Sequence, residues 1–254
     1  MMHLTLEVIA VAMLAVMVIG FMKGAFGGGF AIIGIPLLAL VMDPIKAGSL
    51  LAPLFVAMDL YALRYWRPHT WSKPDLLLLL PGLLAGIASG YLLLAYLNRH
   101  LIEILMAATT LLFAFLWWRG KGEAVAQPRS KGKALAAGTA SGITTMVAHS
   151  GGPPLAMYLL PLGLSKEVYA GTTSMFFTIG NLVKAGPWLA VGGLTRDFWL
   201  LMAMCLPAAF FGVWVGWKLH GRLNQQQLVR ICYGLLVITA LKLLYDGVHG
   251  LLPA

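Results

Sequence analysis

The sequence predicts an all-α integral membrane protein made of two inverted repeats. Each repeat reads as a re-entrant or broken-helix hairpin with a Gly-rich tip, followed by three transmembrane helices. Three observations predict this: an apolar composition, a punctuation of Gly, Pro and Asn that recurs in order in both halves, and an uneven placement of Lys and Arg. Of 254 residues, 60% are hydrophobic and 11% charged, where a soluble domain carries about a quarter charged. Mean hydropathy is +0.85. Runs such as Leu76–Leu97 and Leu101–Trp118 are long enough to cross a hydrocarbon core of about 30 Å.

Taken in order, apolar segments fall at about 4–22, 30–42, 45–63, 75–97 and 101–118. The first begins without a basic n-region or a small-residue cleavage site, so it is expected to be retained rather than removed as a signal. A polar stretch, 119–133, carries Arg119, Lys121, Arg129, Lys131 and Lys133. The pattern then returns at about 134–149, 151–164, 167–190, 198–218 and 228–248. This divides the chain into a first repeat, 1–118, a basic cytoplasmic linker, 119–133, and a second repeat, 134–254. The halves match in detail. Gly28-Gly29 corresponds to Gly151-Gly152 and Ala47-Gly48-Ser49 to Ala170-Gly171-Thr172, while Pro81, Gly86, Gly90 and Asn98 correspond to Pro207, Gly212, Gly216 and Asn224. Repeats of this size are a common build for secondary transporters, with the site between the halves.

Charge gives the orientation. Suppose the tip returns the first stretch of each half to its starting side. Arg64, Arg67, Lys73, the five linker residues, Lys166, Lys218, Arg222 and Arg230 then share one face, and only Lys46, Arg99 and Arg196 lie opposite. Four plain crossings per half would give a weaker split of nine against six. The positive-inside rule favours the first arrangement, with both termini outside. The short segments 30–42 and 151–164 agree, since each would span only about 20 Å as helix. The excess of 18 Lys and Arg over 9 Asp and Glu is thereby explained by topology, and no nucleic-acid partner is expected.

These residues carry a resemblance. The stretch Gly20-Phe21-Met22-Lys23-Gly24-Ala25-Phe26-Gly27-Gly28-Gly29 with Pro36 opens the first half, followed by Ala47-Gly48-Ser49. The second half has Ser150-Gly151-Gly152-Pro153, Ala170-Gly171-Thr172 and Asn181-Leu182-Val183-Lys184. Together they resemble the TauE/SafE, or sulfite exporter, family of membrane permeases, over nearly the whole chain. The resemblance implies transport of small sulfur-containing anions, organic sulfonates or carboxylates across the bacterial cytoplasmic membrane. The second tip, His149-Ser150-Gly151-Gly152-Pro153-Pro154, departs from a plain triple glycine.

A small anion in a membrane needs positive charge and hydrogen-bond donors. Tips meeting at the midplane would offer helix N-termini and backbone N–H groups at Gly27, Gly28, Gly29, Gly151 and Gly152; the same glycines could equally serve close helix packing. For Gly86, Gly90, Gly212 and Gly216, packing is the expected role. Lys23, one turn before the first tip, and Lys184 are the charged candidates. An ammonium at the centre of a membrane helix costs about 3 kcal/mol, which an anion would offset, unless the side chain snorkels to an interface. Asn181 shares a helix face with Lys184 and could donate to a substrate oxygen. Thr172 and Ser150 are further hydroxyl candidates, with Thr144, Thr145 and Thr173, although such hydroxyls often bond back to their own helix.

His149 suggests proton coupling. A Ser150–His149 nucleophile pair fails, because neighbours on a helix point about 100° apart, and no enzyme is expected. Intramembrane carboxylates are scarce, which argues against cation transport. Asp59 is expected to be a structural partner, for instance of Arg64. Cys205 and Cys232 read as small packing residues, and no metal or cofactor is expected. Nor is there a Gly-x-x-x-x-Gly-Lys-Ser/Thr motif for an internal ATPase. The expected function is a secondary transporter of small anions by alternating access, the resemblance implying sulfite, thiosulfate or sulfonates as the anions. Its partners would be the anion, membrane lipid and, as an open alternative, a second copy in a homodimer. The rival readings are a permease for a small carboxylate and a non-transporting membrane scaffold.

Overall fold

The computed structural model describes residues 5–28, 37–96, 128–191 and 195–223, with scattered helical positions in 101–119 and 237–249. Gly29, Cys232, and most of the segments expected at 30–42, 101–118 and 228–248 lie outside the described residues. Helices are α1 (Leu6–Phe26), α2 (Pro44–Ala62), α3 (Lys73–Tyr96), α4 (Lys131–Ala148), α5 (Gly152–Leu159), α6 (Lys166–Val191) and α7 (Arg196–Leu219). There is no strand among the described residues. The chain is an all-α membrane protein, and α1, α2, α3 and α7 are long and apolar enough to cross a bilayer.

Local chemistry sets the helix starts. Thr5, Asp43, Ser130 and Thr195 each place a side-chain oxygen on a backbone N–H of the first turn, which satisfies donors that a helix start leaves unpaired. Asp43 takes two, from Ile45 (2.9 Å) and Lys46 (3.1 Å), with Pro44 at the first turn of α2. The fixed φ of proline suits that position and its missing N–H costs nothing there.

Small residues fix the tertiary packing. Helix α1 lies on α7, and α3 on α4, at backbone contact distance. Gly20 and Gly24 of α1 face the carbonyls of Ala209 and Val213, while Gly212 and Gly216 of α7 face those of Met17 and Phe21. Gly82 and Gly86 of α3 face the carbonyls of Leu135 and Thr139, and Gly138 and Gly142 of α4 face those of Leu79 and Leu83. Each is a small-xxx-small spacing, which lets helices associate where lipid offers no hydrophobic driving force. Gly86, Gly212 and Gly216 thus have the packing role the sequence suggested. Gly20, Gly24, Gly82, Gly138 and Gly142 share it, which the sequence reading did not single out. Gly24→Ala is expected to destabilise by about 2–3 kcal/mol, because its Cβ would fall on the Val213 backbone. Gly132→Ala, in open space within α4, is expected to stabilise by about 0.5–1 kcal/mol through helix propensity. Unfolding in detergent micelles compares the two.

One end of the bundle gathers several helix termini. Lys23 of α1 meets Asp59 of α2, and Gly27, just past α1, lies on Ala170 and Ser174 of α6. His220, just past α7, contacts the Ala25 carbonyl at 2.5 Å through Nδ1. Ser72 donates its N–H to Thr172 Oγ1 (2.8 Å), joining the start of α3 to α6. Asp75 is buried beside it, accepting from Arg129 Nε (3.0 Å), Tyr158 Oη (3.0 Å) and Ser72 Oγ (2.5 Å). The C-termini of α1, α2 and α7 therefore sit with the N-termini of α3, α4 and α6. In each sequence-related pair (α1 with α4, α2 with α6, α3 with α7) one helix ends where the other begins.

Candidate functional site

Helix α1 closes at Gly27, whose left-handed backbone (φ 72°) returns its N–H to the Lys23 carbonyl at 3.0 Å. Lys23 thus occupies the last turn, where the helix dipole favours a cation. It is 2% exposed. Its ammonium pairs with Asp59 Oδ1, and Asn181 Nδ2 donates to Asp59 Oδ2 at 2.5 Å. Both carboxylate oxygens are therefore engaged. This corrects the expected Asp59–Arg64 pair. Arg64 lies past the end of α2, five residues on and so on a different face, with its guanidinium over the Tyr61 ring at 5.5 Å.

Lys184, 1% exposed, reaches the C-terminus of α4. Its ammonium donates to Thr145 Oγ1 (2.8 Å) and the Thr145 carbonyl (3.2 Å), and meets His149 Nδ1 at 2.5 Å. His149 is the C-cap of α4 with φ 50°, a left-handed conformation uncommon outside glycine. The side chain is held on every side. Its Nε2 faces the Gly48 carbonyl at 3.0 Å, and the ring stacks on Trp188 at 4.9 Å. A carbonyl can only accept, so Nε2 carries the proton and Nδ1 accepts from Lys184. Gly48 permits this approach, since a Cβ there would enter the Trp188 ring.

The two lysines share one neighbour. Lys23 Nζ is 4.7 Å and Lys184 Nζ 5.3 Å from the centroid of Phe55, and His149 packs edge-on to the same ring at 5.0 Å. Neither lysine snorkels. The cluster joins Lys23, Asp59, Asn181, Lys184, Thr145 and His149 around one aromatic face, with contributions from α1, α2, α4 and α6.

The described residues of the two tips pack on different stretches of α6. Gly27 packs against Ala170 and Ser174, whereas the turn after α4 packs near Lys184 and Trp188. Ser174 and Lys184 are about 15 Å apart along a helix, and the first tip beyond Gly28 lies outside the described residues. Each turn also presents the C-terminal end of its helix, and Pro153 and Pro154 remove two N–H groups from the start of α5. The cations, not tip amides, are the conspicuous anion-attracting groups. A Cβ at Gly28 would touch the Lys23 side chain at 3.2 Å, and one at Gly151 would press on Ser141 and Thr145. Gly152 begins α5 and is buried. Ser150 Oγ donates to the Thr144 carbonyl at 3.3 Å, so it makes no pair with His149. Thr172 is separate from the cluster: its hydroxyl accepts from Ser72 N–H, nine residues before Asn181. Thr144 bonds back to Ala140, the local pattern expected of helix hydroxyls.

Sequence reasoning missed Phe55 and Trp188. Both read as ordinary apolar residues, and nothing in their spacing marks them. Among the described residues no three His, Cys, Asp or Glu side chains come together as metal ligands.

Comparison with known proteins gave one positive finding. Neither the curated proteins nor the solved structures returned a match. A family model described as sulfite exporter TauE/SafE matches residues 12–243, a span that holds every residue of the buried cluster. The chain therefore belongs to the sulfite exporter TauE/SafE family of membrane transporters.

Proposed function

We propose that the protein is a secondary transporter of small anions, of the sulfite, thiosulfate or organosulfonate type, working by alternating access between its two halves. One observation carries this reading. Two ammonium groups, one from each half, are buried against the same Phe55 ring. Asp59 already answers Lys23, whereas Lys184 touches only neutral acceptors. An ammonium costs about 3 kcal/mol at the centre of a membrane helix, and a small anion is the ligand whose charge offsets that cost at Lys184. Lys23, Lys184, Asn181 and His149 are the residues that would attract and orient it. A scaffold has no use for such a cluster.

The helix directions support inverted repeats, since each sequence-related pair runs in opposite senses. Inversion gives a site two similar halves that can close in turn. The protein would sit in the bacterial cytoplasmic membrane with both termini outside. In intact cells, a cysteine placed at the N-terminus of a variant lacking Cys205 and Cys232 should then react with an impermeant maleimide. Reaction only after permeabilisation would overturn the orientation.

The function is tested by uptake into proteoliposomes of labelled sulfite, thiosulfate, small sulfonates and small carboxylates, with and without a proton gradient. Saturable uptake of a sulfur-containing anion is the expected result. Uptake confined to carboxylates would move the substrate class. No flux of any anion through well-folded protein would sink the reading.

A further inference from the structure

The two buried lysines are not equivalent, and the difference sets a charge count. Lys23 is in direct contact with Asp59, whose second oxygen is held by Asn181. Lys184 contacts only neutral acceptors: the Thr145 carbonyl, the Thr145 hydroxyl and the His149 Nδ1. His149 is neutral by geometry, because its Nε2 proton is committed to Gly48 and its Nδ1 accepts. Among the described residues, no other carboxylate than Asp59 takes part in the cluster. With both lysines protonated and Asp59 ionised, the assembled site holds two ammonium groups and one carboxylate, an excess of one positive charge.

Resting on the anion-transport reading above, we propose that Asp59 is a built-in counter-anion that tunes the site to substrates carrying a single negative charge, with Lys184 as the ammonium that meets them. Asp59 occupies Lys23 through Oδ1 and Asn181 through Oδ2, the contacts that two oxygens of a carboxylate or sulfonate substrate could otherwise make. An incoming anion therefore finds Lys184 as the unmatched cation. A monoanion brings the buried cluster to neutrality. A dianion leaves a surplus negative charge in a medium where an unpaired ion is strongly penalised. Within the class proposed above, organosulfonates and hydrogen sulfite are therefore selected over thiosulfate, which is doubly charged at neutral pH. The aromatic walls at Phe55 and Trp188 cannot offset that surplus, since the negative faces of their rings attract cations.

The test is a comparison of uptake by proteoliposomes for methanesulfonate, a monoanion, and sulfate, a dianion, at one pH and with the membrane potential clamped. The wild-type protein should favour the monoanion by at least about tenfold. Asp59→Asn raises the excess to two charges and should reverse or erase that ratio. The double variant Lys23→Gln/Asp59→Asn restores an excess of one, and should return the ratio toward the wild-type value even where total uptake falls. It also guards against misfolding of the single variant.

A wild-type ratio near one would overturn the inference, as would an Asp59→Asn ratio equal to wild type. If Asp59→Asn does not fold, the double variant alone decides. Keeping the monoanion preference would support the charge count; favouring sulfate while folded would overturn it. These outcomes differ from failure of the transport reading itself, in which the wild-type protein carries none of the anions in the wider panel.

Discussion

Lys184→Met is expected to abolish anion uptake while leaving the protein folded. Methionine matches lysine in length and fills the same space without charge. Its removal leaves acceptors at Thr145 and His149 without a donor, at a cost of about 1–3 kcal/mol for buried groups. Against that, the buried ammonium no longer has to be kept out of water. Net stability should change by about 1 kcal/mol or less, the two terms being of similar size and opposite sign. Binding has no such compensation. An anion entering the cluster would lose its unmatched cation, and an unpaired buried charge costs about 3–5 kcal/mol, a loss of about two to three and a half orders of magnitude in affinity. Lys184→Arg should recover only part of it, because a planar guanidinium cannot reproduce the point-like contacts to Thr145 and His149. Uptake in proteoliposomes, paired with thermal unfolding in detergent, separates the two effects. Uptake within about threefold of wild type would show that Lys184 does not meet the substrate, since a direct contact to a buried anion is worth more.

Much of the helical layout was legible because local signals mark it. Segments expected at 45–63, 75–97 and 167–190 are found as α2, α3 and α6, shifted by one or two residues, where Asp43-Pro44 and the polar stretches beside them punctuate the apolar runs. Two boundaries moved for tertiary reasons. The first apolar segment, read over about 4–22, belongs to a helix that runs on through Lys23 to Phe26 and closes at Gly27, with Gly24 as a contact point on α7. The segment expected over 151–164 is the eight-residue α5 followed by a tight turn at Leu160–Leu162. The charged site residues were legible, since Lys23 and Lys184 stand out against apolar neighbours. Their partners were not. That Lys23 meets Asp59, 36 positions away, while Lys184 meets His149 depends on how helices from both halves pack. Phe55 and Trp188 gave no signal at all, because an aromatic residue in a membrane segment is unremarkable until its neighbours are known.

Lys23 and Asp59 should show strong energetic coupling, and this is the larger expected effect on stability. The pair is buried, with side chains 3% and 1% exposed. Removing either partner strands a charge in the interior, which costs about 3–5 kcal/mol. Lys23→Met should leave the Asp59 carboxylate with Asn181 as its only hydrogen-bond partner among the described residues. Asp59→Leu should leave a second unmatched ammonium beside the first. The double variant Lys23→Met/Asp59→Leu removes both charges and replaces them with apolar groups. It should lie within about 1–2 kcal/mol of wild type, since well-packed apolar substitutes for buried ion pairs are often neutral or stabilising. The coupling energy from the cycle is then expected to reach about 3 kcal/mol or more, far above the few tenths found for independent sites. Equilibrium unfolding of the four proteins in mixed micelles measures it. Additive losses would mean that the two side chains do not pair in the membrane-embedded protein, and that the charge balance of the cluster must be drawn differently. A stable, coupled double variant would instead show that this ion pair is not needed for folding, and that its retention in a bilayer serves the handling of an anion.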